Sequence, residues 1–187
     1  MNTVLRCHGI SFSRRYAFVR LLITSRPFSA SSVSSSSVGS FKPDDFTTAF
    51  LGEIKGLTHA TDPALSSRAL RSLVQSKVLR FTDMSENPEK FFLAHRLLAT
   101  IGLGGFGIRF TVQFNLFAGS IVGLAGSDQL PMLESIQEKG QLGCFLLTER
   151  QAGVLSGLIV ETTADWDQDN QEFILHTPSD KAAKNWI

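Results

Sequence analysis

The feature that most constrains this chain is a stripe of large apolar side chains between residues 106 and 124. Phe106, Phe110, Phe114, Phe117, Ile121 and Leu124 recur every three or four residues, the spacing that gathers side chains on one face of an α-helix. Such a face has to be buried against other elements, and the neighbouring sequence supplies helices. Thr61-Asp62-Pro63 is a helix start, a capping side chain followed by proline in the first turn. Leu65, Leu70, Leu73 and Val74 continue it at helical spacing to about Arg80. Asn87-Pro88 starts another helix, in which Phe91, Phe92, His95, Leu98 and Ala99 share a side. Leu130–Lys139 reads as a short helix ended by Gly140. Gly119 and Gly123 are expected to let a neighbouring helix come close.

After Gly140 the period changes. Cys144-Phe145-Leu146-Leu147-Thr148 is short and apolar, which predicts a buried strand. Ile159–Trp166 and Gln171–His176 flank the polar run Asp167-Gln168-Asp169-Asn170, which predicts a hairpin. The expected fold class is α+β: an N-terminal helical bundle followed by an antiparallel β-domain. A few strands without closing partners do not make a stable sheet, so the β part is expected to be incomplete.

The net charge of +1 hides an uneven distribution, because six basic residues and no acidic one precede Asp44. An Arg-rich, Ser-rich, acid-free start resembles a transit peptide, and Arg26-Pro27-Phe28-Ser29-Ala30 resembles a mitochondrial processing pattern. The expectation is mitochondrial import with removal of about residues 1–28, with plastid or peroxisome as alternatives. Ser29–Ser40 has little to bury and reads as a flexible linker. Residues 1–42 are thus assigned to targeting peptide and linker, with folded structure beginning near Pro43. Basic charge confined to this segment is not the footprint of a nucleic-acid-binding domain. Arg20 splits the apolar core that a secretory signal needs. No stretch approaches the roughly 20 apolar residues of a membrane span. Cys7 and Cys144 are too few for a disulfide framework or a cysteine-based zinc site.

Gly102-Leu103-Gly104-Gly105-Phe106-Gly107 matches the dinucleotide pattern G-x-G-x-x-G, with Asp128 following. That motif works only after a strand, and Phe91–Ile101 reads as a helix, so the glycines read as an interhelical turn. His8, His59, His95 and His176 show no metal-ligand spacing, and no metal is expected. No paired carboxylates, Ser-His-Asp arrangement or Walker loop occurs. The phenylalanine stripe is read as core packing, part of which is a candidate lining for a fatty-chain channel.

Gly143-Cys144-Phe145-Leu146-Leu147-Thr148-Glu149 resembles the first strand of the middle domain of acyl-CoA dehydrogenases and oxidases, which runs beside the flavin. Glu172-Phe173-Ile174-Leu175-His176-Thr177-Pro178 and Ala182-Ala183-Lys184-Asn185-Trp186-Ile187 are similar to the oxidase branch. Phe114–Ser120 and Gly126-Ser127-Asp128-Gln129 resemble the helical domain that precedes the strand. The resemblance divides the chain into a helical domain at 43–139 and the beginning of a flavin-binding β-domain at 140–187. It implies FAD as cofactor and acyl-CoA as substrate, oxidised to trans-2-enoyl-CoA in β-oxidation, with electrons passing to oxygen in oxidases. Thr148 would hydrogen-bond the flavin ring, Phe145 and Leu147 would lie along flavin and acyl chain, and Trp186 would cover the flavin face.

Two departures accompany the resemblance. The family's serine for the cofactor pyrophosphate is replaced by Val154, and Ser156 substitutes only if the loop is displaced by two residues. The family's base is a glutamate of a C-terminal helical domain that these residues do not include, so no catalytic residue is assigned. Family members oligomerise, and the domain they require for it is likewise not among these residues. The 187-residue chain alone is expected to be inactive. The alternative is a non-catalytic, organelle-targeted helical binding module. The chain ends in Asn-Trp-Ile rather than a Ser-Lys-Leu-like peroxisomal address.

Overall fold

The structure, a computed structural model, describes residues 41–185. The import peptide, the Ser-rich linker and Trp186 lie outside the described residues. Two compact units result: a helical one from Phe41 to Thr148, to which Lys184 and Asn185 also belong, and a small one from Glu149 to Ala183.

The helical unit begins with α1 (Pro43–Glu53), α2 (Pro63–Ser76), α3 (Asp83–Glu86) and α4 (Pro88–Ile101). Proline stands first in α1, α2 and α4, where a helix has no use for the missing N–H. Asp62 caps α2 by accepting from the Ala64 and Leu65 amides at 2.8 and 3.2 Å, and Asn87 caps α4 through the Lys90 amide. Helix α2 stops at Ser76 rather than reaching Arg80, because Lys77 takes a left-handed conformation with φ 56°. That turn carries Leu79 and Phe81 into the core, where both are buried. The backbone groups it frees are met by Gln137, itself buried. Gln137 accepts from the Phe81 amide at 3.0 Å and donates to the Val74 and Leu79 carbonyls at 3.1 and 2.8 Å. On α4 the buried face is Phe91, Leu93, Ala94 and Leu98, while Phe92 and Ala99 point outward.

The glycine motif forms an interhelical turn. Gly102 ends α4 at φ 71° and Gly104 adopts φ 51°, both left-handed conformations open to glycine. Then α5 (Gly105–Thr111), a π-helical segment (Val112–Ala118) and α6 (Gly119–Leu124) run on as one rod, followed by α7 (Leu130–Glu138). Phe106, Phe110 and Phe114 are buried as expected, but Leu124 is 87% exposed. Phe117 and Ile121 remain partly buried against the core, and the wider i→i+5 turn of the π segment shifts the later residues gradually until Leu124 leaves the stripe. An aromatic series threads the core, Phe46–Phe50–Phe110–Phe114–Phe81, with centroid separations of 5.5, 6.0, 4.6 and 5.2 Å. Lys90 and Asp83, both largely buried, pair at 2.8 Å and tie α4 to α3. A side chain at Gly119 would meet the end of Met84 on α3, whereas among the described residues nothing lies within 4 Å of one at Gly123, so the close neighbour expected at both is found there only at Gly119.

In the small unit, β1 (Thr163–Asp167) and β2 (Glu172–His176) form an antiparallel hairpin with Trp166 opposite Phe173. The turn is built by Asp167, whose carboxylate accepts from the Asp169 and Asn170 amides and from the Asn170 side chain at 3.0, 3.1 and 2.8 Å. β1 starts at Thr163, not Ile159, because the Glu161 and Thr162 amides are engaged elsewhere, by Glu149. The architecture is helix-rich α+β with a two-stranded sheet among the described residues.

Candidate functional site

The segment from Leu142 to Thr148 has no regular secondary structure and forms no ladder among the described residues. This corrects the expected buried strand: Cys144 is exposed, and Leu146 and Leu147 are 64% and 36% exposed. Apolarity of the run signalled a covered strand, yet no described strand lies beside it to provide the ladder. What fixes it is contact with the helical rod. The Gly143 amide donates to Gln113 Oε1 at 2.9 Å, and a Cβ at Gly143 would fall inside the Phe117 ring. At the other end, the Asn185 amide donates to the Thr148 carbonyl at 2.9 Å, and Lys184 Nζ to the Leu147 carbonyl at 3.3 Å. Leu147 and Thr148 are thereby brought beside the two residues that precede Trp186. Phe145 is half-buried on the same segment.

Alongside Gly143 lies a cavity of about 540 Å³ between α2, α5 and the π segment, walled by Leu70, Ile108, Val112 and Leu142. Its polar lining comes from Ser67, Arg109 and Gln113. Its volume falls within the roughly 300–1,000 Å³ usual for small-molecule sites. Gln113 is 1% exposed, and among the described residues nothing accepts from its Nε2. Arg109 Nη1 donates to the Pro63 carbonyl at 2.8 Å, which steadies the guanidinium. Sequence reasoning missed both residues; the available signal was a polar side chain set between Phe110 and Phe114. A second apolar hollow, of about 640 Å³, lies between α4 and α5, lined by His95, Leu103 and Thr111 and sharing Ile108 and Val112 with the first. Within it, His95 packs on Phe91 and Phe110 with centroids at 4.5 and 5.1 Å. Its ring nitrogens lie 2.9 Å from the Phe91 carbonyl and 2.8 Å from the Asn115 amide oxygen.

In the small unit, Glu149 is completely buried. Its carboxylate oxygens accept from the Glu161 and Thr162 amides at 2.8 and 2.9 Å. This clamp closes the loop that carries the short 3₁₀ turn Gly153–Leu155. At its tip Val154 is 98% exposed, and Leu158 is 82% exposed. The Asp167 carboxyl of the hairpin is held below its ordinary pKa, first by the Asn170 side chain and then by the Asn170 and Asp169 amides, with desolvation opposing them.

Comparison with known proteins decides the family. The chain is 32% identical over 126 residues to a protein named acyl-coenzyme A oxidase 2, peroxisomal, from Arabidopsis thaliana, covering 66% of this chain and 18% of that protein. It is 40% identical over 123 residues to acyl-coenzyme A oxidase 3 of Yarrowia lipolytica, covering 62% of this chain and 17% of the relative. Over about two thirds of its length this chain is related to the acyl-CoA oxidases. A further match, to the human peroxisomal acyl-coenzyme A oxidase 3, has 39% identity over 74 residues, 39% of this chain and 10% of that protein. The chain therefore spans under a fifth of the length of these relatives. No protein-family model and no solved structure matches it. The expectation of a mitochondrial protein carrying a transit peptide is overturned, since relatives whose names state a compartment are peroxisomal. Arg and Ser enrichment at a chain's start reports composition, and composition alone does not specify which organelle receives it.

Proposed function

We propose that this chain contributes the helical domain (43–139) and the start of the flavin-side β-domain (140–187) to a peroxisomal enzyme of acyl-CoA-dehydrogenase-like architecture that oxidises acyl-CoA to trans-2-enoyl-CoA. The observation carrying this reading is 31–41% identity to a series of acyl-CoA oxidases. The cavity beside Gln113 and Gly143 supports it: mostly apolar, of ligand size, and opening where the chain enters the Phe145–Thr148 segment. In this reading the cavity receives the acyl chain, while Phe145, Leu147 and Thr148 face the flavin.

The residues of the 145–148 segment suit one edge of an isoalloxazine ring, because Leu146 and Leu147 present exposed apolar side chains beside the half-buried Phe145. The chemistry supplied by bound FAD is acceptance of a hydride from the substrate's β-carbon. The chain's own part is to anchor the segment, through Gln113 at Gly143 and through Asn185 at Thr148. Trp186, two residues beyond Lys184, is assigned to the flavin face in the same reading. Val154 suits a pyrophosphate poorly, since its exposed tip carries no donor in its side chain.

The test is a calorimetric titration of the full chain with octanoyl-CoA, free CoA and FAD. Octanoyl-CoA is expected to bind tighter than free CoA, and flavin fluorescence to change on adding protein. Equal affinity for octanoyl-CoA and CoA would remove the acyl-binding reading.

A further inference from the structure

We infer that the apolar tip of the small unit, residues 154–160, is an intramolecular docking surface for the chain's own basic N-terminal segment, centred on residues 16–23. Between Arg150 and Glu161 no residue is charged. Within that run Val154 and Leu158 stand almost wholly in solvent, and Leu155 and Val160 are exposed as well. Apolar groups gathered in this way mark an interaction surface more often than bare protein exterior. The tip is also a fixed shape. The Leu155 amide donates to the Ala152 carbonyl at 2.8 Å, and the Leu158 and Ile159 amides donate to the Leu155 carbonyl at 3.0 and 3.2 Å. Glu149 closes the loop through the Glu161 and Thr162 amides. The apolar side chains are thus held outward on a preformed backbone, which lowers the ordering cost of covering them.

Charge selects the occupant. Glu149–Ala183 carries seven acidic and two basic residues, and Glu161, Asp165, Asp169 and Asp180 among them are exposed. Residues 41–148 of the helical unit hold ten of each sign, so they offer a basic segment no net attraction. Residues 1–40 hold five arginines and no acidic residue. Within them, residues 16–23 set seven apolar side chains around Arg20, with Arg14 and Arg15 just before. The segment therefore matches the tip in apolarity and the small unit in opposite charge. A second copy of the small unit would bring acid against acid, and an anionic lipid surface would repel it for the same reason. Reach is not limiting. The 17 residues between Ile23 and Phe41 span up to about 55–60 Å when extended, against a radius of gyration of about 13 Å for a compact 100-residue domain. The inference is independent of the acyl-CoA reading.

The experiment attaches a nitroxide spin label to the full chain carrying Thr24→Cys, with Cys7→Ser and Cys144→Ser to leave one site for it. Chains bearing both the label and a nitrogen isotope are diluted into an excess of plain chain, and their amide signals are read by NMR. The Val154, Leu155 and Leu158 signals are expected to lose most of their intensity and to regain it when the nitroxide is reduced. Joint Arg14→Glu, Arg15→Glu and Arg20→Glu should restore the signals without reduction, and so should Leu21→Asp with Leu22→Asp. Circular dichroism checks that each variant keeps its helices. Full intensity at all three amides in the starting chain would overturn the inference. Broadening in a mixture whose label and isotope sit on different chains would overturn it too, by making a second copy the partner. Broadening that survives the arginine reversals would do the same, because charge is what directs the segment to the small unit.

Discussion

Gly143→Ala is the substitution that most directly tests how the Phe145–Thr148 segment is held. Gly143 has no positive φ, so alanine meets no backbone strain there. The cost is steric, because the new methyl would overlap the Phe117 ring. Phe117 is only half-buried but leans on Phe81, with centroids 6.2 Å apart, so its ring cannot withdraw without disturbing the core. Overpacking of this kind costs about 1–3 kcal/mol. If the segment moves instead, the Gly143–Gln113 bond is lost, at about 0.5–1.5 kcal/mol. A destabilisation near 2 kcal/mol is expected, read from the urea midpoint or as a fall of roughly 8–16 °C in melting temperature for a unit of this size. Phe117→Leu removes the obstructing ring edge, so the double variant should be more stable than the two single losses predict, by at least about 1 kcal/mol. Strict additivity, to within about 0.5 kcal/mol, would show that the ring and the methyl do not meet, and the account of the anchor would fail.

Gln137→Leu removes one acceptor and two donors from buried backbone groups of Phe81, Val74 and Leu79. With each unpaired group costing about 1–3 kcal/mol, a loss of several kcal/mol is expected, with faster hydrogen exchange at the Phe81 amide; unchanged exchange would count against the clamp. Asp167 has a folded pKa below its ordinary value, so its ordering of the turn is present above that ordinary value and lost as pH falls through the folded one. An acid titration by NMR should therefore release the Asp169 and Asn170 amides together, and independent titrations would contradict the shared carboxylate. Val154→Ser, tested in the chain as it stands, should tighten FAD binding about tenfold to a hundredfold if a hydroxyl there reaches a phosphate. No change in a flavin-fluorescence titration would mean that the cofactor does not use this position.

Much of the helical architecture was legible because it is written locally. Proline after Asp62 and proline after Asn87 fix two helix starts with no help from distant residues, and paired positive-φ glycines at 102 and 104 break the chain where the sequence reads a turn. The end of α2 was not legible, because a left-handed Lys77 is tolerated only when Gln137, 60 positions further on, accepts and donates to what it exposes. Glu149 escaped notice for the same reason. Its role depends on the Glu161 and Thr162 amides, and a pattern of apolar and polar letters does not register backbone partners. Of the candidate site, the segment around Thr148 was proposed from its resemblance, while the cavity and Gln113 came only with the three-dimensional fold.

The π segment joins these observations. A uniform α-helix from Gly105 to Leu124 would carry the apolar stripe to its end. Here the stripe is fully buried through Phe114, only partly buried at Phe117 and Ile121, and lost at Leu124, which stands in solvent. Regular packing is given up over one wide turn, and the turn begins where Val112 and Gln113 line the cavity. Such insertions are uncommon and concentrate at functional sites. The same residue, Gln113, holds Gly143 with its oxygen and turns an unpaired amide toward the protein interior. The wide turn, the anchored segment and the cavity's polar lining therefore share one side chain, and whatever occupies the cavity acts on the segment that leads to Thr148.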